Sequence, residues 1–206
     1  MEAKDYGLRF RYLLRPRTTT SQIIVHHAAS AGDVDAPTIH RWHLGNGWSG
    51  IGYHYVVRLD GALERGRPED RIGAHAKDNN HNSIGVCLAG NIDERPPTDA
   101  QMATLLALVR DIWSRYGQIA VVGHGDVNST VCPGRFFPWA WLREELAKPA
   151  PLPEIQQRVS VRFESEPPRE GYLIDGTTFA PVRWLAEQLG ARVEWQDGTA
   201  KIFKEG

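Results

Sequence analysis

A histidine and a cysteine on one short segment have the residue types and the spacing for metal chemistry. His124 and Cys132 lie at the two ends of HGDVNSTVC, which Pro133 and Gly134 follow. An imidazole nitrogen and a thiolate are both common zinc ligands, so two such side chains on one loop can converge on one ion. Spacing alone also fits a simpler interpretation, a loop histidine beside a buried cysteine.

A third ligand would favour the metal site, and the first predicted strand supplies two candidates. The segment QIIVHH ends in His26 and His27. Because successive side chains of a strand point to opposite faces, only one of the two can face the loop. The pattern by itself leaves open which one.

Short apolar segments alternate with amphipathic ones, which is the pattern of an α/β domain. Residues 83–89, SIGVCLA, are nearly all apolar, as in a central strand buried on both faces. Thr98 and Gln101 form a predicted capping box at the start of a helix that Gly117 ends. The other predicted strands are 22–27, 53–59, 62–65 and 119–122, the last also expected to be buried, and the other predicted helices are 36–44 and 136–146.

Three prolines within residues 148–154, KPAPLPE, restrict the backbone and predict a stiff spacer. We therefore divide the chain into a domain over residues 1–147, a linker over 148–156 and a small α+β domain over 157–206. In the small domain the patterns predict strands at 158–163 and 172–174, a helix at 181–189 that Gly190 ends, and a hairpin around Asp197 and Gly198.

The composition is that of a globular protein. The 206 residues include 24 Lys and Arg against 25 Asp and Glu, and 41% are hydrophobic. The resulting net charge of −1 argues against a dedicated nucleic-acid binder, which needs a basic face. Apolar stretches are far shorter than the roughly 20 residues of a membrane-spanning helix. Residues 1–17 contain no apolar run typical of a secretory signal, so we expect synthesis in the cytoplasm and export, if any, by another route.

Six motifs occur in a fixed order along residues 21–146: IVHH, RWH, GWSGIGYHYVV, GAHA, NHNSIGVCLAG and HGDVNSTVCPG. In this order they resemble the zinc-dependent N-acetylmuramoyl-L-alanine amidases, a family that includes bacteriophage lytic amidases and peptidoglycan recognition proteins. The resemblance implies an α/β fold with a mixed central β-sheet flanked by helices. It also implies that His26, His124 and Cys132 bind one catalytic Zn2+ ion and that His27 points away.

Two histidines and a thiolate leave the fourth position of a tetrahedral zinc open for water, whose pKa the metal lowers from about 16 toward about 7. The resemblance implies hydrolysis of the amide between the lactyl group of N-acetylmuramic acid and L-alanine of the stem peptide. It gives catalytic roles to Tyr53, in GYHY, and to Thr130, which stands two residues before Cys132. A hydrogen bond from such a residue to the tetrahedral oxyanion contributes about 2.7–4 kcal/mol in a typical oxyanion hole.

The general base is left open by the resemblance. Cys87 stands where the cytosolic anhydro-muropeptide amidases carry a glutamate, so that base is absent and the sequence is closer to the phage and recognition-protein branch. Asp126 is the nearest alternative acid, although an aspartate after Gly125 is more often a turn or cap residue. Cys87 itself, between Val86 and Leu88, fits a small core residue.

Two further residues are candidates for substrate binding. His75, in GAHA, matches a groove-lining histidine of the family. Trp48, in GWSGIGY, has an aromatic face of the kind that stacks on sugars, and a core role fits it equally well. His54 fits a structural role on the other face of its strand, and His40 and His43 fit packing better than metal binding.

The C-terminal segment has a resemblance of its own. Residues 171–202, GYLIDGTTFAPVRWLAEQLGARVEWQDGTAKI, are similar to the stalk-like domain first named from the N-termini of copper amine oxidases. This segment contains no His or Cys, so copper binding is not implied. Two hypotheses remain: a wall-targeting or spacer module that raises the effective substrate concentration, and a domain that only packs on the catalytic core or self-associates.

Taken together, the motifs predict a cell-wall lytic enzyme of the endolysin type. Its partner would be peptidoglycan, with no nucleic acid, and a monomer is favoured. Release to the cell wall would follow a holin-type or other route that needs no signal peptide. The alternative class is a non-catalytic peptidoglycan-binding module, because some members of the family lack the cysteine ligand, and Cys132 argues against it.

Overall fold

The chain forms two compact units, residues 1–150 and residues 151–206. The structure, a computed structural model, describes residues 2–149, 157–162, 167–174, 176–196 and 199–204. Most of the linker predicted at 148–156 lies outside these residues, so that boundary stays a prediction. Among the described residues, no helix is both long and apolar enough to cross a membrane.

A five-stranded mixed sheet is the centre of the first unit. Its strands, in chain order, are β1 (Gln22–His27), β2 (Tyr55–Val57), β3 (Leu63–Arg65), β4 (Ser83–Leu88) and β5 (Ala120–Gly123). They lie side by side in the order β3-β2-β4-β1-β5. Four strands, β2, β4, β1 and β5, run parallel to one another, and β3 pairs with β2 in the antiparallel direction. The predicted α/β fold with a mixed central sheet is therefore confirmed.

Four helices accompany the sheet in the described part of this unit: α1 (Ala36–Gly45), α2 (Asp99–Tyr116), α3 (His124–Val127) and α4 (Trp139–Ala147). The predicted capping box of α2 is present, with Thr98 and Gln101 each accepting a backbone N–H from the other. Helix α4 begins at residue 139 rather than at the predicted residue 136, because Pro138 occupies its N-cap and a proline disfavours the helical conformation of the residue before it, Phe137. The short helix α3 was not predicted.

Alternation along the strands sorts their side chains onto two faces of the sheet. Ile23 and Val25 of β1 pack with α2 and α4 in the larger apolar cluster. Cys87 of β4 belongs to the second cluster, on the side of α1. His26 pairs with Cys87 across the two strands, so its side chain leaves the same face of the sheet as Cys87. His27, the next residue, leaves the opposite face.

Two strand predictions needed correction. Strand β5 was expected to be buried, but Ala120 is exposed and the next two residues are half-buried, because β5 is the outer strand and pairs only with β1. Strand β2 covers residues 55–57 of the predicted 53–59. Residues 52–54 bond to a loop on one side, for example through the Tyr53 carbonyl and the Arg67 N–H, while the His54 N–H donates to the Gly85 carbonyl of β4.

The second unit is built mainly of strands. Its elements are β6 (Gln157–Val161), β7 (Arg169–Ile174), β8 (Thr177–Phe179), α5 (Val182–Gln188), β9 (Ala191–Gln196) and β10 (Thr199–Lys204). Strands β6, β7 and β8 form one antiparallel sheet, and β9 pairs with β10 in a hairpin. The turn predicted at Asp197 and Gly198 lies outside the described residues, as does Phe163 at the end of the first predicted strand. A small α+β domain is confirmed.

Candidate metal centre and active site

Strand β1 delivers the first candidate ligand to the end of the sheet. His26 is 1% exposed and lies next to the last residue of an interior strand, with β4 on one side and β5 on the other. Its Nδ1 faces the Cys132 Sγ at 3.7 Å. Because the backbone of β1 is paired on both sides, the position of this ring is set by the sheet.

The loop after β5 delivers the other two ligands. His124 begins helix α3 directly after the last residue of β5. Gly125 donates its backbone N–H to the Cys132 carbonyl at 2.7 Å, which folds the loop back on itself. A Cβ at Gly125 would lie 2.7 Å from the Thr130 carbonyl oxygen, so this close approach requires a glycine. The Cys132 Sγ also accepts the backbone N–H of His27 at 3.4 Å.

These three side chains form one cluster of potential metal ligands. One donor atom each from His26, His124 and Cys132 lies within 4.8 Å of the others. Tetrahedral zinc with bond lengths of about 2.0–2.3 Å separates its ligand atoms by roughly 3.3–3.8 Å. The observed 3.7 Å between Cys132 Sγ and His26 Nδ1 falls within that range. Two nitrogens and a sulfur are also the donor set that zinc prefers over magnesium or calcium.

The electrostatics of the cluster fit a divalent cation. Burial lowers the pKa of His26 well below its usual value, and burial also lowers the pKa of His124. Burial raises the pKa of the Cys132 thiol to about 11. The two imidazoles are therefore neutral and offer no positive charge to a thiolate, a charge that a bound metal ion supplies.

His27 leaves the opposite face of β1 and lies outside the cluster. Its Nδ1 accepts the Ile92 backbone N–H at 3.0 Å. His54 is also structural: its Nδ1 accepts the Gly85 N–H and its Nε2 faces the Arg71 carbonyl, each at 2.9 Å. The placement of His27 agrees with what the resemblance implies, and that of His54 agrees with the structural role expected for it.

Tyr53 lies beside the candidate metal ligands. Its ring centre is 5.0 Å from that of His26 and 5.6 Å from that of His43. Burial raises the pKa of the phenol, and the thiols of Cys87 and Cys132 add to this effect. The hydroxyl therefore keeps its proton and can donate a hydrogen bond.

Thr130 and Asp126 occupy the loop in different ways. Thr130 is exposed, and its Oγ1 accepts the Cys132 backbone N–H at 3.3 Å. Asp126 accepts the Gly123 backbone N–H at 2.7 Å and so closes the start of α3. Asp126 is thus a cap residue, which was the simpler of its two interpretations.

Trp48 and His75, both predicted to bind substrate, differ in access. Trp48 is 47% exposed and its ring centre lies 4.7 Å from that of His43, so it is a surface residue rather than a core residue. His75 is only 8% exposed, and its Nδ1 lies 3.0 Å from the His26 Nε2. This placement beneath His26 favours a positioning role for His75 over substrate contact.

A surface cavity of about 630 Å³ opens beside the loop. Of the three candidate ligands, Cys132 alone lines it, together with Asp126, Arg135 and Trp139 among others. The loop side of the cluster therefore borders open space, whereas His26 is enclosed by the sheet.

The candidate site combines three features of an α/β fold: an interior parallel strand that ends in histidines, a loop with a further histidine and a cysteine, and a tyrosine beside them. This combination is of the metallohydrolase type. Residues 16–135 match the N-acetylmuramoyl-L-alanine amidase family, and residues 161–206 match the copper amine oxidase N-terminal domain. The first match spans more than half of the chain. The chain belongs to the N-acetylmuramoyl-L-alanine amidase family.

Individual relatives agree with this assignment. The endolysin of Enterobacteria phage T3 is 39% identical over 139 residues, which are 64% of this chain and 92% of the relative. Peptidoglycan-recognition protein SC2 of Drosophila melanogaster is 35% identical over 126 residues, 55% of this chain and 68% of the relative. The solved structure of the N-acetylmuramoyl-L-alanine amidase LysC from Clostridium intestinale is 33% identical, with a TM-score of 0.68, over 71% of this chain and 97% of that one.

Proposed function

We propose that this amidase is zinc-dependent and hydrolyses the amide bond between the lactyl group of N-acetylmuramic acid and L-alanine in peptidoglycan. The convergence of His26, His124 and Cys132 within 4.8 Å, in a chain of this family, carries the proposal. The relatives named endolysins support a role in lysis of the bacterial cell wall.

His26, His124 and Cys132 would hold the ion, with His26 contributing the Nδ1 that faces the sulfur. Bound zinc is a Lewis acid that lowers the pKa of a water and polarises an amide carbonyl. The residues around it supply the remaining functions. In the described part of the chain, no Asp or Glu belongs to this ligand cluster, so its donors are two imidazoles and one thiol.

Tyr53 would donate a hydrogen bond to the substrate oxygen as negative charge develops on it. Its ring lies against His26, and its burial keeps the donor away from bulk water. A donor held in place before the reaction stabilises the transition state without further reorganisation. Thr130, which is exposed on the loop, would add a weaker hydrogen bond.

Trp48 would provide the contact with the glycan. Its half-exposed ring packs against the His43 ring at an angle of 59°, and the His43 ring centre lies 5.6 Å from that of Tyr53. Sugar rings have apolar faces that pack well on aromatic side chains. The sequence of contacts from Trp48 through His43 to Tyr53 thus connects an exposed aromatic surface to the ligand cluster.

The test is digestion of purified sacculi followed by mass spectrometry of the products. We expect wild-type protein to release stem peptides that begin with a free L-alanine amine, and Cys132→Ala to lose both this activity and bound zinc. Cys87→Ala, which removes the other buried thiol, should retain its zinc. Wild-type protein that binds sacculi and releases no peptide would instead establish the alternative, a non-catalytic binding module.

Tyr53→Phe separates metal binding from catalysis. We expect this variant to keep its zinc and to lose about 100- to 1000-fold in kcat, the usual effect of removing an oxyanion-hole donor. Unchanged turnover at full zinc content would remove Tyr53 from the mechanism.

For the C-terminal unit we propose a wall-targeting or spacer role. Such a module raises the effective concentration of the catalytic unit at an insoluble polymer without a new catalytic contact. Removal of residues 149–206 should therefore leave cleavage of small muropeptides intact and slow the digestion of whole walls. Equal loss, or no loss, on both substrates would dismiss the targeting role, with thermal melting of the shortened protein as the control for folding.

A further inference from the structure

A chain of hydrogen bonds extends from the candidate ligand His26 into the interior. The His26 Nε2 lies 3.0 Å from the His75 Nδ1, and the His75 Nε2 lies 3.4 Å from the Ser83 Oγ. The Ser83 hydroxyl donates to the Asn79 carbonyl at 2.6 Å. His75 is 8% exposed and Ser83 is fully buried, so water does not compete for these contacts.

The direction of each hydrogen bond follows from the last one. Because the Ser83 hydroxyl gives its proton to the Asn79 carbonyl, its oxygen is free to accept from the His75 Nε2–H. A neutral His75 with its proton on Nε2 has a lone pair on Nδ1, which accepts from the His26 Nε2–H. This arrangement leaves His26 Nδ1 without a proton, and Nδ1 is the atom that faces Cys132.

The reverse arrangement would block metal binding. If the His75 Nδ1 carried the proton, it would donate to the His26 Nε2, and a neutral His26 would then carry its own proton on Nδ1. A protonated ring nitrogen has no lone pair for a metal. The Ser83 contact therefore selects the tautomer of His26 through His75.

The surroundings hold the His75 ring in place from two sides. A Cβ at Gly85 or at Gly73 would lie 2.5 Å from the His75 ring, so both positions require glycine for the ring to fit. Asn80 fixes the backbone at the same point, because its Oδ1 accepts the N–H groups of His75 and Ala76 at 2.7 and 3.0 Å. The ring is thus enclosed and oriented independently of any ligand.

We propose that His75 and Ser83 are positioning residues that hold His26 in the one tautomer able to bind the metal. The proposal rests on the proposed zinc site. It replaces substrate contact as the role of His75, and it gives a function to the buried Ser83 at the start of β4. Outer partners of this kind commonly change metal affinity by about 10- to 100-fold.

The first test needs no metal. Long-range proton–nitrogen NMR of metal-free protein labelled with 15N-histidine reports which ring nitrogen of His26 carries the proton, with His26→Gln identifying the signal. We expect the Nε2–H form at neutral pH. A neutral His26 with its proton on Nδ1 would overturn the proposal. If the wild-type protein binds no zinc, the proposed function fails, and this measurement still tests the hydrogen-bond chain by itself.

The second test compares two substitutions of nearly equal size. His75→Asn keeps an oxygen that can accept from His26, whereas His75→Leu removes the acceptor. In competition with a chelator, we expect His75→Leu to weaken zinc binding about 10- to 100-fold and His75→Asn to weaken it clearly less. Equal losses in the two variants, or no loss in either, would contradict the proposal. Thermal melting of the metal-free variants controls for the cavity that both leave, and the wild-type NMR result decides if either fails to fold.

Ser83→Ala tests the far end of the chain. Without the hydroxyl acceptor, the His75 Nε2–H loses its partner, so we expect NMR of the metal-free variant to show both tautomers of His26. Zinc affinity should fall by less than in His75→Leu. A single, unchanged Nε2–H form of His26 in Ser83→Ala would remove Ser83 from the proposal.

Discussion

His26 comes from an interior strand of the sheet, whereas His124 and Cys132 come from the loop that follows the outer strand β5. The strand side is enclosed: His26 is 1% exposed, and a second layer of buried polar residues lies behind it. The loop side borders an open cavity, and His124 is half-buried. The comparison indicates that the strand side fixes the geometry of the site while the loop side gives access to it.

The largest difference between two variants should come from replacing each of the two adjacent histidines of β1 by alanine. His26→Ala removes a candidate ligand, so we expect loss of stoichiometric zinc and a fall in turnover of at least about 1000-fold, as for other hydrolases that lose a reactive group. His27→Ala is the matched control, because His27 bonds to Ile92 on the opposite face. Zinc content and peptide release check both variants. If His27→Ala loses its zinc and His26→Ala keeps it, the assignment of faces is wrong.

Substitution of one glycine on each side of the site should change the unfolding free energy by different amounts. Gly85→Ala places a methyl group 2.5 Å from the His75 ring between paired strands, and we expect a loss of about 1–3 kcal/mol in unfolding free energy. Gly125→Ala places a methyl group 2.7 Å from the Thr130 carbonyl oxygen, so it also costs stability, but both residues are exposed and the loop can relax in part, so we expect a smaller loss of about 1 kcal/mol. Denaturant unfolding of metal-free protein measures both. A larger loss of unfolding free energy in Gly125→Ala than in Gly85→Ala would show that the loop side is the more rigid of the two.

The amount that the sequence predicts also differs between the sides. His26, His124 and Cys132 were predicted from motifs, and the same resemblance placed His27 on the other face, where the structure has it, whereas strand alternation alone left open which of the two histidines faces the loop. The layer behind His26 was not predicted, because His75 reaches His26 across 49 residues through a loop whose path no local pattern encodes. The burial of β5 was predicted wrongly for a similar reason: an apolar run of four residues does not reveal whether a strand is central or outermost.

On the loop side, Thr130 should matter less than Tyr53. Thr130 is exposed, and its oxygen already accepts the Cys132 N–H, so water weakens any hydrogen bond that it gives to substrate. We expect Thr130→Ala to lower kcat about 5-fold, corresponding to the roughly 1 kcal/mol of an ordinary hydrogen bond. Thr130→Ser keeps the hydroxyl and should restore most of the activity. A loss as large as that of Tyr53→Phe would show that Thr130 is an enclosed donor during the reaction.

The effect furthest from the metal ligands concerns the scaffold on which the strand side depends. Glu69 accepts hydrogen bonds from Tyr55 of β2 at 2.5 Å and from Tyr116 at 2.7 Å, and it pairs with Arg115 at the end of α2. The bonds from Arg115 and the tyrosines outweigh burial and hold the pKa of Glu69 at about 2. Its contribution to stability is therefore full above the unfolded-state pKa of about 4.5, and it is lost as the pH falls toward 2.

Glu69→Gln tests this contribution. Since Arg115 is partly exposed, we expect the substitution to cost about 1–2 kcal/mol at pH 7. The difference between wild type and variant should shrink between pH 4.5 and pH 2, the pH range set by the shift of Glu69. Urea unfolding at several pH values measures it. A difference that stays constant over this range would show that the charge of Glu69 does not stabilise the fold.

X-ray absorption at the zinc edge of the purified protein is the direct test of zinc binding by His26, His124 and Cys132. We expect one zinc per chain, bound by two nitrogens at about 2.0–2.1 Å, one sulfur at about 2.3 Å and one further light atom from solvent. Cys132→Ala should lose the zinc and with it the sulfur signal, whereas Cys87→Ala should keep both. The proposed zinc site would be ruled out by any of three results: a protein without stoichiometric zinc, a coordination shell without sulfur, or a shell filled by four protein ligands.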